Sequence, residues 1–282
     1  RSILFSSHDE VKKFLEKRSI ENSKKHQQPA TLNVKSNLDK LTLNDMQVFR
    51  FNFRHEKNQK ILYLHGGYNT LQPSPFHWRL LDKLTLNTLH EVVLPIYPKS
   101  PDYHYLETFK AIRDVYNQLV EEVGADNIVM MGDGSGGGLA LSFVQSLIND
   151  NQEVPRKLFL LSPLLDATLT NPNITQTLEE NDILVSRFGV HQLMKSWAND
   201  LPLSDARISP LYGTLKGLPP IYMYGGGREI LSPDMHAFTH ALEECGNDVE
   251  FKEYPKMVHD FPIYPIRQSH KVLKHITKSI LE

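Results

Sequence analysis

The sequence predicts an α/β protein: a mostly parallel sheet of about eight strands, with helices on both faces and a helical cap. Three observations carry this expectation. From about residue 61 onward, short apolar runs alternate with longer segments of helical periodicity, the pattern of repeated β–α–β units. Runs such as Ile61-Leu62-Tyr63-Leu64 are apolar on both faces, as strands inside a parallel sheet must be. One stretch, residues 166–212, breaks the alternation, holds no good strand, and lies between two core strands. Insertions of this kind cover the crevice at the carboxyl ends of the strands, where ligands bind. The expected organisation is a single domain over residues 1–282, with the cap made from residues 1–40 and about 166–212.

Each element has its own warrant. Residues 8–27 read as a charged helix in which Val11, Phe14 and Leu15 form a thin apolar stripe, so it lies on the body of the protein. Residues 41–53 read as a hairpin, turning at Asn44-Asp45 between Leu41-Thr42-Leu43 and a strand from Met46 to Phe53. Strands follow at 61–64 and 91–97, then a helix at 106–123 whose stripe runs through Phe109, Ile112, Val115, Tyr116 and Leu119. A strand at 127–131 leads into a glycine cluster and a helix from about 139 to 148. A strand at 157–161 precedes the interrupted stretch, which has helical runs around 174–178 and 188–197. Strand 220–224, helix 234–244, strand 249–254 and a closing helix at 270–281 complete the chain.

Composition removes several function classes. Lys plus Arg is 31 and Asp plus Glu is 33, a net charge of −2, which leaves no basic footprint for nucleic acid or an anionic membrane. Cys245 is the single cysteine, so no intrachain disulfide and no cysteine-based metal cluster forms. No apolar run approaches the roughly 18 residues that span a bilayer. The expected partner is a small molecule, without nucleic acid, metal or cofactor; a homodimer is compatible with the composition. One cysteine suits a reducing cytoplasm, the location expected, although a bacterial secreted protein would share that count. The sequence starts at Arg1, so a signal or anchor ahead of it stays open.

The chemistry-bearing residues cluster at strand ends. Gly132-Asp133-Gly134-Ser135-Gly136-Gly137-Gly138 follows a strand and opens a helix, the setting of a nucleophile elbow. Its G-x-G-x-x-G spacing also suits a dinucleotide loop. That loop should open the first β–α–β unit, however, and here it falls after at least two core strands. His65-Gly66-Gly67-Tyr68 follows an earlier strand and offers backbone N–H groups for an oxyanion, or is an ordinary glycine turn. Glu229 follows the strand at 220–224 and His259 the strand at 249–254, both downstream of the serine. Alone, each reads as a surface residue; together they complete the order Ser…Glu…His found in hydrolase triads. Asp260 is the nearest competing acid, but its adjacency to His259 directs its side chain elsewhere.

These motifs make the chain resemble the hormone-sensitive-lipase-like esterases of the α/β-hydrolase fold, from about Leu41 to the C-terminus. His65-Gly66-Gly67-Tyr68 resembles the family's HGGG, YPKSPDYHYLETFKAI from Tyr97 to Ile112 resembles YRLAPEHPFPAALED, and YPKMVHDF at 254–261 resembles YPGMIHGF. DARISPLYG at 205–213 and LPPIYMYGGGRE at 218–229 resemble the approach to the catalytic acid, commonly Asp and here Glu229. The elbow departs from the pattern: the family has GDSAGG and this chain GDGSGG. Either the turn shifts by one and Ser135 attacks, or Gly134 holds the serine's place and Ser135 supplies only a backbone N–H.

The resemblance implies a serine carboxylester hydrolase acting on small, uncharged, short-acyl esters. Ser135 is then the nucleophile, His259 the base and Glu229 its orienting acid. The Gly66–Gly67–Tyr68 turn and Gly136 form the oxyanion hole, with Ser135 replacing Gly136 in the second register. Tyr97, Phe188, Trp197 and Tyr212 are the candidates to line the pocket, though each also suits ordinary packing. The rival reading is a catalytically inactive ligand-binding protein on the same scaffold, as in plant hormone receptors that resemble this family.

Overall fold

The computed structural model describes residues 3–52 and 59–282. Helix α1 (His8–Asn22) starts at Ser7, whose hydroxyl accepts a hydrogen bond from Glu10 N–H, and it buries only Val11. Strands β1 (Leu38–Leu43) and β2 (Met46–Phe51) pair antiparallel around Asn44 and Asp45, whose φ values are 48° and 65°. A two-residue turn with both centres left-handed matches the twist of the strands, and Asn and Asp tolerate it best after glycine. The far end of the expected hairpin, Phe53, lies outside the described residues.

Strand β3 (Lys60–Leu64) leads to helix α2 (Pro75–Thr88), strand β4 (Glu91–Pro95) and helix α3 (Tyr105–Val123). Strand β5 (Ile128–Asp133), helix α4 (Ser135–Asn149) and strand β6 (Lys157–Leu161) follow. Residues 166–212 contribute helices α5 (Gln176–Asn181) and α6 (Arg187–Ala198) and no strand. Strand β7 (Ile221–Gly226), helix α7 (Ser232–Glu244), strand β8 (Val249–Tyr254) and helix α8 (Arg267–Leu281) close the fold.

The strands form one sheet in the order β1-β2-β4-β3-β5-β6-β7-β8. It is parallel from β4 to β8, with the β1–β2 hairpin joined antiparallel at one edge. Strand alternation divides the core. Leu62, Leu64, Met130, Leu158 and Leu160 face α3 and α4, while Ile61, Tyr63, Val129, Met131 and Phe159 face α2 and α8. Helix α8 buries Val272, Leu273, Ile276 and Ile280, a stripe one helical face wide. Beneath the hairpin, buried Arg50 and Lys60 both pair with buried Glu91. Among the described residues no helix is long and apolar enough to cross a membrane.

Two differences from the sequence expectation have local causes. Helix α2 is not foreseen; it starts at the end of the proline-interrupted stretch Gln72-Pro73-Ser74-Pro75. Pro75 occupies the first helical turn, where a missing N–H costs nothing, and Trp78, Leu80, Leu81 and Leu84 are buried behind it. Helix α4 begins at Ser135, not near 139, because the glycine cluster is its first turn.

Candidate active site

The site lies at the carboxyl ends of β3, β5, β7 and β8. Between Asp133, the last residue of β5, and Ser135, the first of α4, stands Gly134 with φ 54° and ψ −125°. Positive φ is easy for glycine and strained for any other residue. The turn is tight as well: a Cβ on Gly132 would lie 2.3 Å from Gly136 O. An elbow needs small residues two places either side of its centre, so this close approach centres the turn on residue 134. A Cβ built on Gly134 would lie 3.4 Å from His259 Nε2. Residue 134 therefore faces the imidazole. Ser135 Oγ accepts a hydrogen bond from Tyr68 N–H at 2.7 Å, and no hydrogen bond joins it to His259.

Opposite the elbow, Glu229 and His259 are brought together. Glu229 is fully buried and its Oε1 lies 3.0 Å from His259 Nδ1. The other carboxylate oxygen accepts from Ser162 Oγ at 2.7 Å and Gly226 N–H at 2.9 Å. Ser162 Oγ in turn accepts from Asp260 N–H at 3.0 Å, so one hydroxyl ties the acid loop to the histidine loop. Asp182 fastens the inserted segment to the acid loop by accepting from Leu184, Val185 and Ile230 N–H. Burial pulls the His259 pKa down, but the hydrogen bond and charge of Glu229, with Asp182 and Asp133 beyond, raise it above its ordinary value. The competing acids are engaged elsewhere: Asp166 with Tyr212 and Thr168, Asp234 with Asn171.

The glycine turn after β3 is anchored by Asp133. Gly66 N–H donates to Asp133 Oδ1 at 3.0 Å, and Tyr63 Oη–H donates to the same oxygen at 2.6 Å. Tyr68 N–H is taken by Ser135 Oγ, while the N–H groups of Gly67 and Ser135 have no acceptor among the described residues. Gly67 and Tyr68 hold φ values of 122° and 58°. Gly136 does not line the cavity; its Cα packs against the β3 end, where a Cβ would meet Leu64 O at 2.1 Å.

His77, Asp133 and Asp260 form a buried group whose ligand-type atoms lie within 4.8 Å of one another. The donor set does not suit a metal ion. Ser74 N–H donates to His77 Nδ1 at 2.9 Å, so Nε2 carries the ring proton and directs it to Asp133 at 3.0 Å. No lone pair on that ring is free for a cation.

A cavity of about 160 Å³ opens onto the elbow. Leu71, Phe76, Leu184, Ile263 and Tyr264 supply its apolar walls, and Gly134, Ser135, His259 and Asp260 its floor. The four aromatic residues expected to line it do not. Tyr97 stacks on His65 at 4.7 Å and donates to His65 O, bracing the glycine turn from behind. Trp197 is buried, with its Nε1–H on Thr108 Oγ1 at 2.9 Å. Phe188 meets His8 of α1, and exposed Tyr212 donates to Asp166. Aromatic content in the inserted segment marks packing against α1 and α3, and the cavity is walled mainly by the loop between β3 and α2, the first turn of α2 and the loop after β8.

An alpha/beta hydrolase fold family model matches residues 61–263. The chain belongs to that family. An esterase of Acinetobacter venetianus is 33% identical over 208 residues, covering 73% of this chain and 68% of that protein. A triacylglycerol lipase of Mycobacterium tuberculosis is 29% identical over 221 residues, 78% of this chain but 46% of its own length. The chain thus spans about half of that lipase. The crystal structure of a candidate esterase from Staphylococcus aureus superposes with a TM-score of 0.98 at 64% identity, covering 100% of this chain and 95% of that one. An esterase of the bacterial hormone-sensitive lipase family shares the fold, with a TM-score of 0.82 at 20% identity over 98% of this chain and 99% of its own. The relatives are esterases and lipases, hydrolases that act on ester bonds.

Several residues of this hydrolase site escape sequence reasoning. Ser162 reads as a turn residue because Pro163 follows it, yet at φ 45° its hydroxyl orients the acid. His77 lies in the unforeseen helix. Asp182 stands in a polar stretch that carries no periodic signal, and only the fold brings it to Glu229.

Proposed function

We propose that this protein binds and hydrolyses small, uncharged, short-acyl carboxylesters, with His259 as general base, Glu229 as the acid that orients it, and residue 134 as the position of attack. The geometry that carries this reading is the placement of Gly134, whose absent side chain would point at His259 Nε2 from 3.4 Å. The cavity supports the substrate class. Its volume of about 160 Å³ falls below the roughly 300–1,000 Å³ of sites for larger ligands. Among its described lining residues there is no Lys or Arg to hold an anion.

With glycine at the elbow, the attacking oxygen comes from water. Water bonds to the acyl carbon as its proton passes to His259 Nε2 and the carbonyl π pair moves onto oxygen. The N–H groups of Gly67, Tyr68 and Ser135 receive that oxyanion, the last at the positive end of α4. The Ser135 hydroxyl now on Tyr68 N–H gives way by rotation about one bond. Collapse breaks the bond to the alkoxide, which takes the proton back from Nε2. No acyl-enzyme forms on this route, so turnover is slow, and a hydroxyl at residue 134 restores the covalent path.

The test is turnover of an aryl acetate by the unmodified protein, Gly134→Ser and Ser135→Ala. The expected result is slow hydrolysis in the unmodified protein, a gain of at least about 10³-fold in Gly134→Ser, and no loss in Ser135→Ala. Abolition of activity by Ser135→Ala would return the nucleophile to Ser135. The same glycine favours a second reading, binding without turnover, which predicts saturable ligand binding with hydrolysis no faster than buffer.

A further inference from the structure

Asp260 has no part in the attack, yet it lines the cavity beside His259. Its backbone is left-handed at φ 62°, a position that suits glycine, and the resembling motif has glycine there. The residue is only 8% exposed. Its Oδ1 is shut from solvent and receives no hydrogen bond from any N–H or O–H among the described residues. A buried acceptor left in that state costs the desolvation of the group. The neighbouring carboxylate explains the arrangement. Asp133 already accepts from Tyr63 Oη–H, Gly66 N–H and His77 Nε2–H, three donors that hold it ionised. Two adjacent carboxylates do not both ionise, so the proton belongs to Asp260, which donates it to Asp133. Burial first, and then the Asp133 charge, push Asp260 well above the usual carboxyl range, in agreement with this placement. Asp260 thus lines the cavity as a neutral carboxyl group.

We infer that Asp260 is a specificity-determining residue whose neutral carboxyl group hydrogen-bonds a hydroxyl on the ligand, so that the cavity prefers partial esters of polyols over simple alkyl esters. With its proton committed to Asp133, the group offers an acceptor oxygen to a ligand hydroxyl, beside the apolar walls of Leu71, Phe76, Leu184 and Ile263. This deepens the ester-binding reading of the same cavity and rests on it.

The experiment uses ethers, which cannot be hydrolysed, so its outcome does not depend on where the nucleophile stands; a failed proposed function would show in turnover instead. Calorimetry compares 1-O-butylglycerol with butyl propyl ether, which lacks its two hydroxyls, on the unmodified protein, Asp260→Gly and Asp260→Asn. The hydroxylated ether is expected to bind about three- to tenfold more tightly, the range that one net hydrogen bond supplies. Asp260→Gly, comfortable at this φ, should erase the preference, and Asp260→Asn, which still donates and accepts, should keep most of it. Equal affinities for the two ethers, no binding of the hydroxylated ether at millimolar concentration, or a preference that survives Asp260→Gly would each overturn the assignment.

Discussion

The two sides of the cavity floor differ in how completely they are built. On one side, Glu229 has a partner for each oxygen, and its loop, the histidine loop and the inserted segment are tied together through Ser162 and Asp182. On the other, the elbow keeps its glycines, its tight turn and its helix N-terminus, but offers no side chain where the imidazole points. A hydroxyl does exist one residue on, directed to the oxyanion donors instead. The contrast teaches that an elbow is defined by its backbone. A one-residue displacement of serine gives its oxygen a different partner, because residue 134 stands in the turn between β5 and α4 and residue 135 opens the helix.

The first way to break that contrast is to complete the weaker side. Gly134→Ser should raise aryl acetate turnover by at least about 10³-fold, since the proposed base and its acid are already hydrogen-bonded beside that position. In that background Glu229→Gln should cost about 10⁴-fold in kcat, as removal of the orienting carboxylate does in comparable triads. Steady-state kinetics of the single and double variants check both. A drop of only a few fold for Glu229→Gln would show that another group orients the ring.

The pH profile sharpens the same side. His259 must be unprotonated to accept a proton, and its raised pKa means that activity climbs with pH through a midpoint above the ordinary value of about 6.5. Glu229→Gln removes the leading interaction that raises it, so the midpoint should move to lower pH. A midpoint that stays put in kcat/KM profiles would assign the limb to another group. Smaller again, Ser162→Ala should cost about tenfold or less in kcat, because Glu229 Oε2 keeps the Gly226 N–H. Ser135→Ala should leave turnover within about threefold, since the group removed is a hydrogen-bonded hydroxyl outside the line of attack.

Legibility from sequence followed locality. The alternation of buried strands and striped helices, the Asn44-Asp45 turn and the strand-end positions of Glu229 and His259 are local patterns, and the sheet places them as expected. Helix α2 was hidden because proline marks helix starts as well as loops. Pocket lining was illegible for a different reason. Tyr97, Trp197 and Phe188 point according to long-range packing, which periodicity does not encode. The elbow lies between these cases: sequence reduces it to two registers, and the close approach of Gly132 and Gly136 supports the one with residue 134 in the turn.

The central claim is that residue 134, and not Ser135, holds the position of attack. A fluorophosphonate reacts with a hydroxyl only where base and oxyanion donors act on it, and peptide mass spectrometry locates the adduct. The account predicts no adduct on the unmodified protein and a stoichiometric adduct on residue 134 in Gly134→Ser. An adduct on Ser135 of the unmodified protein would contradict it.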